Sequence, residues 1–248
     1  MPGAESTPSA EKYSRIAQAN LETVRREYGD GGPESKLEYH NVLHTLEVMR
    51  NLSQLMERWD KEFPQEKITR KERELLQIAA SGHDREQEAY KRLETPKPGD
   101  NERLSADDVV LEMRRAGKYS EDDMRFVRAC ILGTIPEFGP GKLSQPMVET
   151  ARMFENGQIN ERQLELAKLL ADADLGSLGQ GFEKMLAWTM RLYDELKKDP
   201  AAYRDFLKDE ISILRSHQWV SKVGAFTFTK KLEAIEGIQK ILEDRSPL

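Results

Sequence analysis

Three of the four histidines in this sequence sit in two short clusters, and a third acidic cluster follows much later. The first is Tyr39-His40-Asn41-Val42-Leu43-His44. Its two imidazoles are four residues apart, which on a helix stacks them on one face. The second is Gly82-His83-Asp84, at the end of an apolar helical run. The third, Asp172-Ala173-Asp174, closes another such run. Carboxylates at the ends of buried helices need partners, because an unpaired charge away from water is costly. A divalent cation held by two imidazoles and two carboxylates would satisfy these groups together. Water bound to such an ion has a lowered pKa, which is the requirement of hydrolytic chemistry. Each cluster alone is a weak signal, and their order along the chain is what carries weight. His217, in Ser216-His217-Gln218-Trp219, has no companion ligand nearby and reads as a packed histidine. Trp188, Tyr193 and Trp219 read as core.

The elements that must position these groups are helical. Leu, Glu, Lys, Arg and Ala dominate, aromatic residues make up 7% and charged residues 33% of the 248 residues, a balance that favours helix. Residues 1–9 read as a disordered tail and 10–248 as one all-α domain. Helical spacing covers Ala10 to Tyr28, Leu37 to Trp59, and Thr69 into His83-Asp84. After the polar loop from Arg85 to Gly99, helices are expected over Ser105–Ala116 and from the capping box Ser120-Glu121-Asp122-Asp123 to Leu132. A Pro/Gly-rich loop from Ile135 to Leu143 follows, then helices over Gln145–Glu155 and from the Asn160 and Gln163 cap to Asp174. Phe182–Lys197, Pro200–Leu214 (Asp199 as N-cap) and Lys230–Leu242 complete the set. Only Trp219 to Thr229 has the Val, Phe and Thr content of extended chain.

The formal charge is -6, with basic and acidic residues interspersed. No basic tract stands out, so extended nucleic-acid binding is not expected. The single cysteine, Cys130, sits in an apolar run and reads as a buried hydrophobe. Nothing resembles a secretory signal or a membrane span, and the expectation is a cytoplasmic protein. Oligomeric state is not encoded in any feature of the sequence.

The order H-N-x-x-H, then H-D, then A-D-L resembles the HD superfamily, whose signature H…HD…D places metal ligands on helices. Asn101-Glu102-Arg103-Leu104-Ser105-Ala106 is similar to the N-E-x-x-S-A segment of the predicted metal-dependent HD phosphohydrolases, and Ile131-Leu132-Gly133-Thr134 and Asp172 to Gly179 fall where that group has similar runs. The likeness covers residues 39–179, with 180–248 as additional C-terminal helices. It implies an HD-type helical bundle with His44, His83, Asp84 and Asp174 as metal ligands. Asp172 becomes an alternative or a supporting group. The ion would be Mn, Fe, Co, Ni, Zn or Mg. His40 matches the position that in the related cyclic-nucleotide phosphodiesterases faces the leaving oxygen, with Asn41 orienting it or holding the turn. Glu86 and Glu88 are candidates to position the attacking water, although Arg85-Glu86-Gln87-Glu88 is more polar than the segment usual after H-D. Arg85, Lys91, Arg92 and Arg103 are the nearest cations for a substrate phosphate. The implied activity is hydrolysis of a small phosphate ester, a nucleotide being the first expectation. A phosphodiesterase and a metal-binding regulatory module are the alternatives.

Overall fold

Apolar residues at three- and four-residue spacing give each segment one water-avoiding face, and burial of those faces against one another builds the fold. The computed structural model describes residues 13–32, 34–137, 147–196, 199 and 202–244. Among them are eleven α-helices and no strand: α1 (Arg15–Tyr28), α2 (Val42–Glu62), α3 (Arg70–Gly82), α4 (Asp100–Ala116), α5 (Glu121–Leu132), α6 (Val148–Glu155), α7 (Glu161–Asp174), α8 (Phe182–Glu195), α9 (Tyr203–Ser216), α10 (Gly224–Thr227) and α11 (Lys231–Glu243). The all-α expectation holds. The expected tail at 1–9, most of the 135–143 loop, and Pro200 lie outside the described residues.

Side-chain caps set several helix starts. Thr69 with Glu72, Ser120 with Asp123, and Asn160 with Gln163 form reciprocal capping boxes, each satisfying two backbone N–H groups. Several starts differ from the sequence expectation: α1 begins at Arg15 with Ser14 as its cap, and α9 begins at Tyr203 after Ala202, so Asp199 is not its N-cap. α2 begins at Val42 because Asn41 is its N-cap, its side chain accepting from the Leu43 N–H at 2.9 Å. His40 therefore lies outside the helix, and the helical stacking of His40 on His44 is not what brings them near each other. α4 begins at Asp100, where Gly99 takes a left-handed φ of 86° and Asp100 and Glu102 place acidic groups in the first turn.

The principal core lies among α1 to α7 and buries Leu52, Leu55, Trp59, Leu76, Phe126 and Leu169. A second apolar cluster, with Met185, Leu207, Leu214 and Ile238, joins α8, α9 and α11, and Trp219 packs against both. The stretch 219–229, expected to be extended, instead carries α10. Its backbone donors are taken by α7: Asp172 Oδ1 accepts from the Val220 N–H at 2.8 Å, and Oδ2 accepts from the Ser221 N–H at 2.9 Å and the Ser221 hydroxyl at 2.5 Å. With those donors used, no ladder can form. Both oxygens of Asp172 are thereby committed to holding the segment that carries Trp219. Asp172→Ala should cost on the order of 3 kcal/mol, since it leaves three donors unpaired, the two on Ser221 being buried. Denaturant unfolding of the variant measures this, and a change below about 1 kcal/mol would contradict the anchoring role.

Candidate metal centre

Three helix ends meet at one point. His44 is the third residue of α2, His83 caps the C-terminus of α3 with Asp84 following it, and Asp174 is the last residue of α7. The two helix C-termini direct partial negative charge at this point, which favours a cation. The approach of α1 and α4 behind His83 depends on Gly82: a Cβ there would lie 2.4 Å from Val109 Cγ2 and 2.8 Å from Asn20 Nδ2. Asn20 is fully buried, donates to Ser81 Oγ at 3.1 Å and accepts from Arg85 at 2.9 Å, fixing the turn into the His83-Asp84 pair.

The four side chains form a closed ring of alternating nitrogen and oxygen. His44 Nε2 lies 3.2 Å from Asp84 Oδ2 and 3.1 Å from Asp174 Oδ1, and His83 Nε2 lies 3.1 Å and 3.3 Å from the same two oxygens. Donors about 2.0–2.1 Å from one ion are about 2.9 Å apart at right angles and about 3.4 Å apart at tetrahedral angles. The observed separations fall in that interval. His83 Nδ1 faces the Ala80 carbonyl at 2.8 Å, and a carbonyl only accepts, so Nδ1 carries the hydrogen. In the neutral ring, Nε2 then presents its lone pair to the ring centre, the tautomer that ligates metal. His83 Nε2 and Asp84 Oδ2 are both buried without a hydrogen-bond partner although they face each other. A cation between them resolves that conflict: His44, His83 and Asp84 place one ligand atom each within 4.8 Å of one another and could hold a divalent ion, with Asp174 against both imidazoles as the further carboxylate.

The electrostatics agree. Burial alone would lower the His44 pKa, but Asp174 and Asp84 beside it outweigh burial and lift it to about 9. His83 is likewise raised: burial lowers it, but Asp84 and Asp174 together outweigh burial. Burial pushes the two carboxyls up, yet the imidazoles hold Asp174 down at about 2 and Asp84 well below the usual carboxylate range. The group as a whole demands positive charge, supplied by protons on the imidazoles or by a metal ion.

A cavity of about 790 Å³ opens onto the ring, with His40, Gln87, Tyr90, Lys97, Asn101 and Glu102 among its walls. The loop from Arg85 to Gly99 does border it, and its first residues are held by the N-E-x-x-S-A segment: Ser105 Oγ accepts from the Glu86 N–H and Asn101 Oδ1 from the Ala89 N–H. His40 is held by Glu195 of α8. Its Nδ1–H donates to Oε1 at 2.5 Å, while the Tyr39 and His40 backbone N–H groups donate to Oε2. Burial lowers the His40 pKa, but the Glu195 bond together with the charges of Asp84 and Glu195 outweighs it, and the net shift is upward.

Other expected residues take different places. Asn41 caps α2 and donates to the Leu37 and Glu38 carbonyls, so it shapes the turn below His40 and does not face the cavity. Glu86 is occupied by the Glu88 N–H and by Arg92. Arg85 is bonded to Asn20 and paired with Glu112, Lys91 pairs with Glu88, Arg92 with Asp108 and Glu86, and Arg103 with Glu149 and Asp100. None of the four lines the cavity, because each has an acidic neighbour close at hand. Among the described residues, Lys97 is the lysine that does. Glu102 is the carboxyl that residue-by-residue reading passed over: burial, and the charges of Asp84 and Asp174, raise it to about 7. Its only sequence signal was the segment Asn101-Glu102. No protein-family model matches the chain, and neither does any curated protein. The family likeness rests on the motif residues themselves.

These shifts fix the pH response of chelator-treated protein. Groups whose folded pKa is raised stabilise the fold at low pH and lose that contribution as pH rises. Glu102 loses it between 4.5 and about 7, and His44 between 6.5 and about 9. His217, lowered to about 4 by burial, acts in the opposite sense, but its effect ends by pH 6.5. Thermal melts of chelated protein should therefore fall steadily from pH 6.5 to 9. A flat or rising melting temperature over that window would contradict the assignment.

Proposed function

We propose that this chain is a divalent-metal-dependent phosphohydrolase of the HD superfamily, acting on a small phosphate ester. The observation that carries the reading is the ring of His44, Asp84, His83 and Asp174, with His83 held by Ala80 in its ligating tautomer. In this reading those four residues hold the metal. A bound divalent ion supplies a lowered pKa for water and offsets charge on the phosphoryl oxygens.

The chain's own groups supply the remainder. His40, with Nδ1 tied to Glu195, keeps Nε2 for proton exchange, and the upward shift of its pKa favours the acid form that a leaving oxygen needs. Glu195 is the positioning residue for that ring. Glu102, near neutrality on the cavity wall, is suited to take or give a proton at physiological pH. Lys97 offers the phosphate a charge-assisted donor in place of Lys91 and Arg92. No helix among the described residues is long and apolar enough to cross a membrane.

The test is phosphate release from a panel of monoesters and diesters, nucleotides included, with Mn, Fe, Co, Ni, Zn and Mg supplied in turn. Turnover of a monoester that Asp84→Ala abolishes is the expected result. His40→Ala should retain the metal while kcat falls roughly 10²–10⁴-fold, the usual worth of a general acid. Turnover confined to diesters would move the reading to a phosphodiesterase, and none with any metal would end it. On the true substrate, Lys97→Ala should raise KM with metal content unchanged, whereas unaltered kinetics would remove Lys97 from the site.

A further inference from the structure

Beside the cavity of the His–Asp ring lies a second, of about 600 Å³, bounded mainly by α8, α9 and the connection from α7. The two meet at Tyr39, Leu175 and Leu192. Its volume is far larger than the packing voids of a folded interior and falls in the range of small-molecule sites. The lining is mostly apolar, with Met185, Trp188, Phe206 and Ile213 among it. One polar group in that lining is poorly matched. Thr189, on α8, is only 5% exposed, and its hydroxyl donates to Met185 Sδ at 3.4 Å. A threonine in a helix ordinarily gives that hydrogen to the carbonyl four residues back, as Thr45 and Thr227 do here. A thioether is a weak acceptor. Among the described residues the Thr189 hydroxyl has no other hydrogen-bond partner, so the chamber holds a buried donor without a strong acceptor.

We propose that this cavity is a binding site of its own for an apolar, ring-sized molecule carrying one hydrogen-bonding oxygen, which the Thr189 hydroxyl engages. The site is independent of the phosphohydrolase reading, since it needs neither metal nor phosphate. Apolar surface withdrawn from water supplies the affinity, and the half-buried ring of Trp188 favours a flat partner. The hydroxyl supplies the orientation. A ligand oxygen gives Thr189 a full hydrogen bond in place of the thioether contact, whereas a plain hydrocarbon leaves that donor as it is. Met185, Trp188, Thr189 and Leu192 all belong to α8, so the occupant rests on the helix whose Glu195 holds His40.

The test is fluorescence titration with 1-naphthol and 1-methylnaphthalene, which share a ring system and differ in the oxygen. Both should bind saturably, and with the same affinity to chelated protein, to Mn²⁺-loaded protein and to Asp84→Ala. Thr189→Val, which exchanges the hydroxyl for a methyl group, should weaken naphthol about fivefold without weakening methylnaphthalene. Thr189→Trp, which fills the cavity, and Ser212→Trp, at its exposed rim, should each remove binding of both probes. If neither probe binds saturably, or if both tryptophan variants bind as the parent does, the proposal is overturned. Binding that is lost in Asp84→Ala would place the probes in the metal cavity and overturn it as well. Equal effects of Thr189→Val on the two probes would overturn the part assigned to the hydroxyl. Probe binding that persists where no ester is turned over leaves this site standing while the phosphohydrolase reading falls.

Discussion

Two carboxylates and two imidazoles share one buried point, and the rest of the architecture answers to that constraint. The side chains of His44, His83, Asp84 and Asp174 keep 4%, 1%, 8% and 15% of their surface exposed. Ionised carboxylates so far from water are tolerated only where positive charge lies against them. The helices supply the setting: α3 and α7 end there with their negative poles inward, and α2 starts there. The apolar core behind them, from Leu52 and Leu55 to Leu169 and Leu170, keeps those ends from drifting apart. Asn20 and Gly82 matter for the same reason, since they set how closely α1 and α4 close behind the His83 turn. Stability and chemistry therefore depend on the same few residues.

Much of the helical layout was legible in the sequence because it is local. Apolar spacing and the caps at Ser120 and Asn160 involve residues three or four apart, and they fell where expected. The ring was legible for a different reason: histidines are few here, and their order relative to Asp84 and Asp174 matches a known pattern. What failed was everything that depends on distant partners. Glu195 holds His40 from 155 residues away, and Ser221 takes Asp172 from 49. No spacing rule reaches that far. The basic residues after His83-Asp84 misled because proximity in sequence says nothing of a nearer acid. Asp108 and Glu112 come from α4, a helix that packs beside the loop and draws Arg92 and Arg85 away from the cavity. Trp188, read as core, is half-buried and lines a cavity with its ring 5.7 Å from that of His44, a place that only the relative placement of α8 and α2 creates.

The two cavities that meet at Tyr39, Leu175 and Leu192 have opposite characters. On one side stand the ring, His40, Glu102 and Lys97, groups that exchange protons or attract anions. On the other the surfaces are apolar with acidic residues among them.

The central claim, that the four-residue ring is a cation site, is tested most directly by calorimetric titration of chelated protein with Mn²⁺ or Co²⁺ at pH 7 in two buffers of different ionisation heat. One ion per chain should bind with release of protons, because His44, raised to about 9, and His83 must give up theirs to ligate. Asp174→Ala should lose that binding. Absence of saturable binding, or binding that releases no protons and survives Asp174→Ala, would contradict the account.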